Sequence, residues 1–332
     1  MYPFLDSNAS IHHTESNMIS AYELTVNEKV ALLIVLSLIV VISLYGNCGM
    51  LHVLNTNQKM WSCTYMLIGN LAAAGVMVTL VSMPFSLASV IMLRWPFEND
   101  IICQLSAFMS SMLLNVTMFT HTVISVSKYF GVVMPYSRTM TIPRTKRILF
   151  AIWFLAALIS IGPFVDFGRY AFGPTTLACG VAFPANKTEI IYLLILACVS
   201  FIGPVLIMIH VYVKIFVSMR RRTKRLMATS SSTTNPYKLQ RKLLTTTLCS
   251  LLCYLLCWTP FCIFIMTSFA VVSRDKIPRG LGIAAYWGAF SYNAINPIIF
   301  IAMCPRFREG LFSCHGCHYG LAHGCQQNLL SD

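Results

Sequence analysis

The sequence predicts an all-α membrane protein: a seven-transmembrane helix bundle with a short amphipathic eighth helix. Three observations predict it. Seven long apolar stretches divide the 332 residues, and the whole is 57% hydrophobic and 11% charged, with mean hydropathy +0.69. That leaves too little polar surface for a soluble globule. Each stretch reaches the ~17 or more residues that cross ~30 Å of hydrocarbon as a helix. The charges between the stretches are sorted by side. Of 24 Lys and Arg residues, 17 lie at Lys59, Lys128 and in the segments sharing their side, and nine of 11 acids, from Asp6 to Asp275, lie on the other. Cytoplasmic loops retain Lys and Arg because positive charge resists translocation, so the amino terminus is expected outside and the carboxyl terminus inside.

In chain order, residues 1–29 read as an extracellular segment, 30–303 as the seven-span domain and 304–332 as an amphipathic helix with a cytoplasmic tail. Residues 1–29 are polar and acidic, with no apolar core near Met1, so the first span is read as an uncleaved targeting signal. The spans fall near Val30–Leu54, Cys63–Leu93, Cys103–Tyr129, Ile148–Phe164, Ile190–Phe216, Leu243–Val272 and Leu281–Met303. Arg220 to Lys242, with its Ser/Thr run and Asn235-Pro236, reads as a flexible cytoplasmic loop. Arg306-Phe307-Arg308 and Leu311-Phe312 suggest a short helix lying on the membrane surface. Asn8-Ala-Ser and Asn186-Lys-Thr are glycosylation acceptors on the expected outside, whereas Asn115-Val-Thr lies within a span.

The net charge of +13 is accounted for by sidedness, because basic residues beside a membrane meet anionic lipid head groups. Nucleic acid is not an expected partner. The only charged residues inside the spans are Lys128 and Lys214, both at cytoplasmic ends. Channels and transporters usually carry deeper charges or paired repeats, and neither is found. No constellation of catalytic acid, base and nucleophile is visible, so an enzyme is not expected, nor is a cofactor. Most of the 13 cysteines lie in apolar runs, where thiols behave as small hydrophobes. Cys314-His-Gly-Cys317-His318 matches a haem-attachment spacing and, with His323 and Cys325, a zinc set. Its place just after a surface helix favours palmitoylation of Cys314 and Cys317 instead.

With the topology fixed, a series of landmarks appears in order: Gly46-Asn47, Asn70-Leu71-Ala72-Ala73-Ala74, Trp95, Cys103, Trp153, Pro204, Tyr212, Cys257-Trp258-Thr259-Pro260 and Asn296-Pro297-Ile298-Ile299-Phe300. By these the chain resembles a rhodopsin-like (class A) G-protein-coupled receptor over roughly Gly46 to Phe312. The resemblance pairs Cys103 with Cys179, pinning the second outer loop to the third span. It implies an extracellular ligand, a heterotrimeric G protein inside and arrestin as a further partner, at the plasma membrane. Pro204, Pro260 and Pro297 remove backbone donors and suit helices that pivot. Trp258 is expected below the ligand pocket, coupling ligand contact to rotation of the sixth helix.

The chain departs from the family where the family keeps its polar signalling core. Gly75 stands in place of an acid that holds sodium. Ser127-Lys128-Tyr129 replaces acid-Arg-Tyr, Gln240 replaces an acid that pairs with that Arg, and Phe300 replaces a Tyr. Lys128 keeps a charge but loses the planar fork of Arg. Raised basal activity is one expectation, and a non-coupling partner that dimerises with or modulates another receptor is the alternative. Ser110 stands where amine receptors carry Asp, and Phe290 where opsins carry the retinal Lys. A neutral or lipophilic small molecule therefore suits the pocket, while the acidic outer loops could attract a basic peptide. His121 is expected to hydrogen-bond a neighbouring helix, and Asn47, Thr117, Asn293 and Asn296 to form an interhelical polar network.

Overall fold

The computed structural model describes residues 24–56, 62–134, 140–229, 235–270 and 278–313. It is a bundle of seven helical spans. The first is Val26–Thr56, and the second is Cys63–Val81 continued by Met83–Met92. The third is Asp100–Val133 and the fourth Ile142–Ser160. The fifth runs Lys187–Ala197, a π turn at Cys198–Ile202, then Gly203–Thr229. The sixth is Asn235–Ala270, the seventh Arg279–Met303, and a terminal helix covers Pro305–Ser313. Five of these stretches, Val26–Thr56, Cys63–Met92, Asp100–Val133, Lys187–Arg221 and Leu248–Thr267, can cross a membrane by length and composition alone. The fourth opens on Arg144, Lys146 and Arg147, and the seventh is diluted by Asn, Ser, Gly and Tyr; both take their places by packing within the bundle.

Helix ends follow local chemistry. Thr25 and Glu28 form a reciprocal cap: Thr25 N–H donates to Glu28 Oε2 at 2.9 Å and Glu28 N–H to Thr25 Oγ1 at 3.3 Å. Asn99 Oδ1 accepts from Ile101 N–H, and Thr141 caps the fourth helix six residues earlier than its apolar run suggested, with Pro143 in the first turn. At the other end of that helix, Tyr170 and Tyr192 donate to the carbonyls of Ser160 and Ile159, which face the end of the helical ladder. Burial raises the Tyr170 phenol, so it stays protonated as the donor.

One expectation is corrected. The stretch from Arg220 to Lys242 is mostly helical, because the fifth helix continues to Thr229 and the sixth starts at Asn235. Arg, Lys, Leu, Met and Ala after Met219 are good helix formers, and Pro236 suits a first turn; residues 230–234 lie outside the described residues. The second outer loop holds an antiparallel hairpin, β1 Tyr170–Gly173 with β2 Ala178–Val181, in register Phe172 to Cys179.

The inner end is closed by glycines. A Cβ at Gly46 would stand 2.7 Å from Pro297 Cγ, and one at Gly49 2.6 Å from Leu311 Cδ1. The first span can therefore lie directly on the seventh and on the terminal helix. That helix buries Phe307 and Leu311 while exposing Arg308 and Glu309, and Phe307 meets the rings of Tyr65 and Phe300 edge-on at 5.9 and 6.2 Å. Outward, Ile34, Leu38 and Val41 on the first span and Phe150, Phe154 and Leu158 on the fourth are exposed, as expected of faces solvated by hydrocarbon.

Candidate functional site: an uncharged outer cavity above a polar core

The outer half of the bundle encloses a cavity of about 350 Å³ between the third, fifth, sixth and seventh spans and β2. Cys103 and Cys179 form a disulfide with Cα atoms 5.5 Å apart, which holds β2 over the cavity. Trp258 lies in its wall, between Phe201 at 6.3 Å and Phe261 at 5.3 Å. None of the lining residues is Asp, Glu, Lys, Arg or His. The π turn at Cys198–Ile202 inserts an extra residue into the fifth helix just before Pro204, and Ser200 and Phe201 from it line the cavity. A second cavity, of about 110 Å³, lies along the hairpin and shares Gly180, Val181 and Tyr286 with the first. The Tyr286 hydroxyl occupies the space that a side chain at Gly180 would need.

Ser110 lines the cavity, but its hydroxyl is engaged: it donates to Ser106 O at 2.7 Å and meets Ser82 Oγ at 2.6 Å. It therefore ties the third span to the break in the second. The pocket role expected of Phe290 is corrected. Phe290, 3% exposed, is not among the cavity-lining residues and packs in the apolar core that includes Leu36, Val78 and Met83. A large flat side chain at that position fills the space between spans.

Below the cavity, Trp258 stacks on Tyr254 at 5.5 Å, and Tyr254 meets the ring of Tyr292 edge-on at 4.9 Å. The Tyr292 hydroxyl hydrogen-bonds His121 Nε2 and donates to Asn296 Oδ1 at 3.1 Å. Ser250 donates to the same Asn296 oxygen at 2.7 Å and lies 3.0 Å from the Tyr292 hydroxyl. One buried cluster thus links the third, sixth and seventh spans. A second joins the first, second and seventh: Asn47 Nδ2 donates to Ser43 O and Asn293 O, and Ser43 Oγ meets Thr79 Oγ1, which donates to Gly75 O. A Cβ at Gly75 would stand 2.8 to 2.9 Å from the Asn47 amide, so Asn47 fills the space of the missing side chain. Thr117 stays out of both clusters and donates to Leu113 O on its own helix. Tyr292, Ser250, Tyr254, Ser43 and Thr79 escaped the sequence reading. Helical spacing held the signal, since Ser250, Tyr254 and Trp258 are four apart, as are Tyr292 and Asn296.

At the inner end, Lys128 is half-buried and its ammonium donates to Thr64 Oγ1 at 3.3 Å. Among the described residues no carboxylate lies within 4 Å of it. Ser127 and Tyr129 are half-buried beside it, Tyr129 against Phe130 at 5.6 Å, and Tyr212 packs between the clusters holding Met118 and Val132. Phe300 is buried against Phe307, and Pro297 sits on Gly46. The Gln240 side chain, Asn8, Cys314 and Cys317 lie outside the described residues, while Asn186 is exposed and caps the fifth helix through Oδ1.

The family model for the seven-transmembrane receptors of the rhodopsin family matches residues 46–300. The chain belongs to that family. The receptor is 22% identical to the dog substance-K receptor over 277 residues, 82% of this chain and 72% of the relative. It is 22% identical to the Drosophila melanogaster tachykinin-like peptides receptor 86C over 299 residues, 86% of this chain and 59% of the relative. It is 23% identical to the RYamide receptor of the same fly over 303 residues, 89% and 65% of the two. The crystal structure of squid rhodopsin superposes with a TM-score of 0.79 at 20% identity, covering 88% of this chain and 87% of that one, and this likeness is one of fold. The receptor is thus a multi-pass membrane protein of class A.

Proposed function

We propose that the receptor sits in the plasma membrane, amino terminus outside, binds a ligand in the outer cavity and passes the signal to heterotrimeric G proteins, with arrestin as a further partner. The observation that carries this reading is the continuous packing from Trp258 through Tyr254 and Tyr292 to Asn296. A ligand that shifts Trp258 can then bias contacts linking three spans, which is how differential contacts move a two-state equilibrium.

The cavity favours a neutral ligand or the neutral end of a larger one. A lone charge there would have no counter-ion to offset its desolvation. The 86C relative is named for tachykinin-like peptides, and the acidic outer loops, with Glu98 and Asp100, suit a peptide whose remainder is basic. Glycosylation at Asn8 and Asn186 and palmitoylation at Cys314 and Cys317 complete the surface.

Basal activity is raised because two restraints of the family's resting state have no residues to form them. Ser127 offers no acid to Lys128, and Gly75, its space taken by the Asn47 amide, offers none to sodium. If each restraint is worth ~1–3 kcal/mol, losing both raises the active fraction about tenfold or more. The second reading, a non-coupling partner that modulates another receptor, draws on the same Lys128, whose ammonium lacks the fork of Arg and is held by Thr64. A panel of ligand-free G-protein activation assays separates the two. Signalling above the vector control is expected, and silence across every class at normal surface expression transfers the conclusion to the second reading.

A further inference from the structure

The outer cavity reaches the lipid-facing surface of the bundle. Its wall between the fifth and sixth spans is made by Leu193, Ala197 and Ile202 on one helix and Cys262, Ile265 and Met266 on the other. Two of these residues also face outward: Ile202 is 48% exposed and Met266 69%. On the sixth span, Met266 continues the exposed stripe of Leu252, Leu256 and Ile263, at helical spacing. On the fifth, Ile202 stands in the exposed stripe of Ile195, Val199 and Leu206. Both stretches can cross a membrane by length and composition, so the stripes face hydrocarbon. Residues that border lipid on one side and the cavity on the other mark an opening between the two spans. Deeper in the bundle the same spans are packed shut: Met208 clusters with Leu251 and Tyr254, and Phe201 meets Trp258 at 6.3 Å. The π turn helps to set the opening. In a straight α-helix Ile202 would stand about 140 degrees round from Ala197, and the wider turn brings it back toward the cavity face.

From this geometry, and building on the reading of the cavity as the ligand site, we infer that the ligand is an uncharged, ring-containing lipophile that enters from the outer leaflet between the fifth and sixth spans. A charged molecule is excluded twice, by the hydrocarbon it must cross and by a cavity wall without a counter-ion. Passing from lipid into the cavity brings no hydrophobic gain, because lipid tails are as apolar as the wall. Close packing must therefore hold the ligand, and much of the wall is aromatic: Phe201, Trp258, Phe261 and Tyr286. A rigid ring system makes those contacts with little loss of conformational freedom, whereas a flexible acyl chain has to be ordered to fit. The volume of about 350 Å³ lies at the small end of ligand pockets and suits one small molecule.

The test asks whether a probe dissolved in the bilayer reaches the cavity. The full chain in lipid nanodiscs is loaded with trifluoromethyl-phenyldiazirine, a neutral aromatic carbene precursor, and photolysed within seconds. Labelled residues are then located by mass spectrometry. Tyr254 and Tyr286 line the cavity, one buried and one half-buried, and their phenols trap carbenes; Leu206 and Leu256 report the lipid face. Label is expected on both tyrosines. Met266→Ala widens the opening and should raise that label relative to Leu206 and Leu256, whereas Met266→Trp narrows it and should remove most of it. Ile202→Ala and Ile202→Trp repeat the comparison from the opposite rim if a Met266 variant does not fold. A phosphatidylcholine carrying the same diazirine at the end of one acyl chain, and the charged benzoate analogue of the probe, are expected to leave both tyrosines unlabelled. No label from the neutral probe, label that ignores the rim variants, or label from the phospholipid or the benzoate overturns the inference. Because no G protein takes part, a receptor silent in signalling assays leaves this result standing, and a receptor that signals with its cavity unlabelled loses only this inference.

Discussion

His121 on the third span and Tyr292 on the seventh share a buried hydrogen bond through Nε2 and the phenol oxygen. The bond sits where Tyr292 also reaches Asn296 and Ser250. It is a neutral tie, and neutral interhelical bonds in membranes average ~0.6 kcal/mol. Such a tie is weaker than the ionic restraints this chain lacks.

Removing that tie should therefore raise ligand-free signalling further. His121→Leu is expected to increase it about threefold, the factor that ~0.6 kcal/mol allows. Tyr292→Phe should act in the same direction. Ligand-free G-protein activation, normalised to surface expression, is the measurement; no rise in either variant counts against the tie.

Restoring the family's acid at Gly75 should destabilise rather than help. Gly75→Asp drives a side chain into the Asn47 amide, 2.8 to 2.9 Å from where its Cβ would sit, and overpacking of this kind costs ~1–3 kcal/mol. Thermal unfolding in nanodiscs should show a lowered midpoint, partly recovered when Asn47→Ser makes room. A midpoint no lower than that of the parent chain would contradict the packing argument.

Cys103→Ser and Cys179→Ser should each reduce surface expression, and the double change should be no worse than either alone, because both remove one bond. The bond spans 76 residues of sequence, and losing a native disulfide typically costs ~2–5 kcal/mol. Normal expression of either single variant is the contrary result.

The paired change Ser127→Asp with Lys128→Arg should lower ligand-free signalling by giving the resting state a local ion pair. The planar Arg fork replaces a single ammonium now held by one hydroxyl, Thr64 Oγ1. Signalling that stays level or rises shows that Lys128 does not set the resting balance.

Despite the shared fold with squid rhodopsin, incubation with retinal followed by borohydride should leave no adduct in Arg279–Met303. That span holds no Lys, and Phe290 cannot form an imine. Recovery of a retinyl peptide from it would refute the prediction.

The sequence by itself determined the seven spans, the terminal helix and the family, because these depend on sums over many residues. Twenty apolar side chains outvote any single exception, and landmarks such as Trp258, Pro260, Asn296 and Pro297 need only their order to be recognised. It also determined the absences, since a missing carboxylate at Ser110 or Gly75 is visible without coordinates. The tertiary structure alone decided how those absences are filled. That Asn47 takes the space at Gly75, that Phe290 packs in the core away from the cavity, and that Thr117 bonds its own helix depend on rotation of each helix about its axis. A shift of one residue turns a side chain by about 100 degrees, and no composition argument fixes that angle. The hairpin at Tyr170–Val181 and the opening between Ile202 and Met266 are of the same kind. Each is a relation between segments far apart in the chain, set by close packing that exists only once the spans have met.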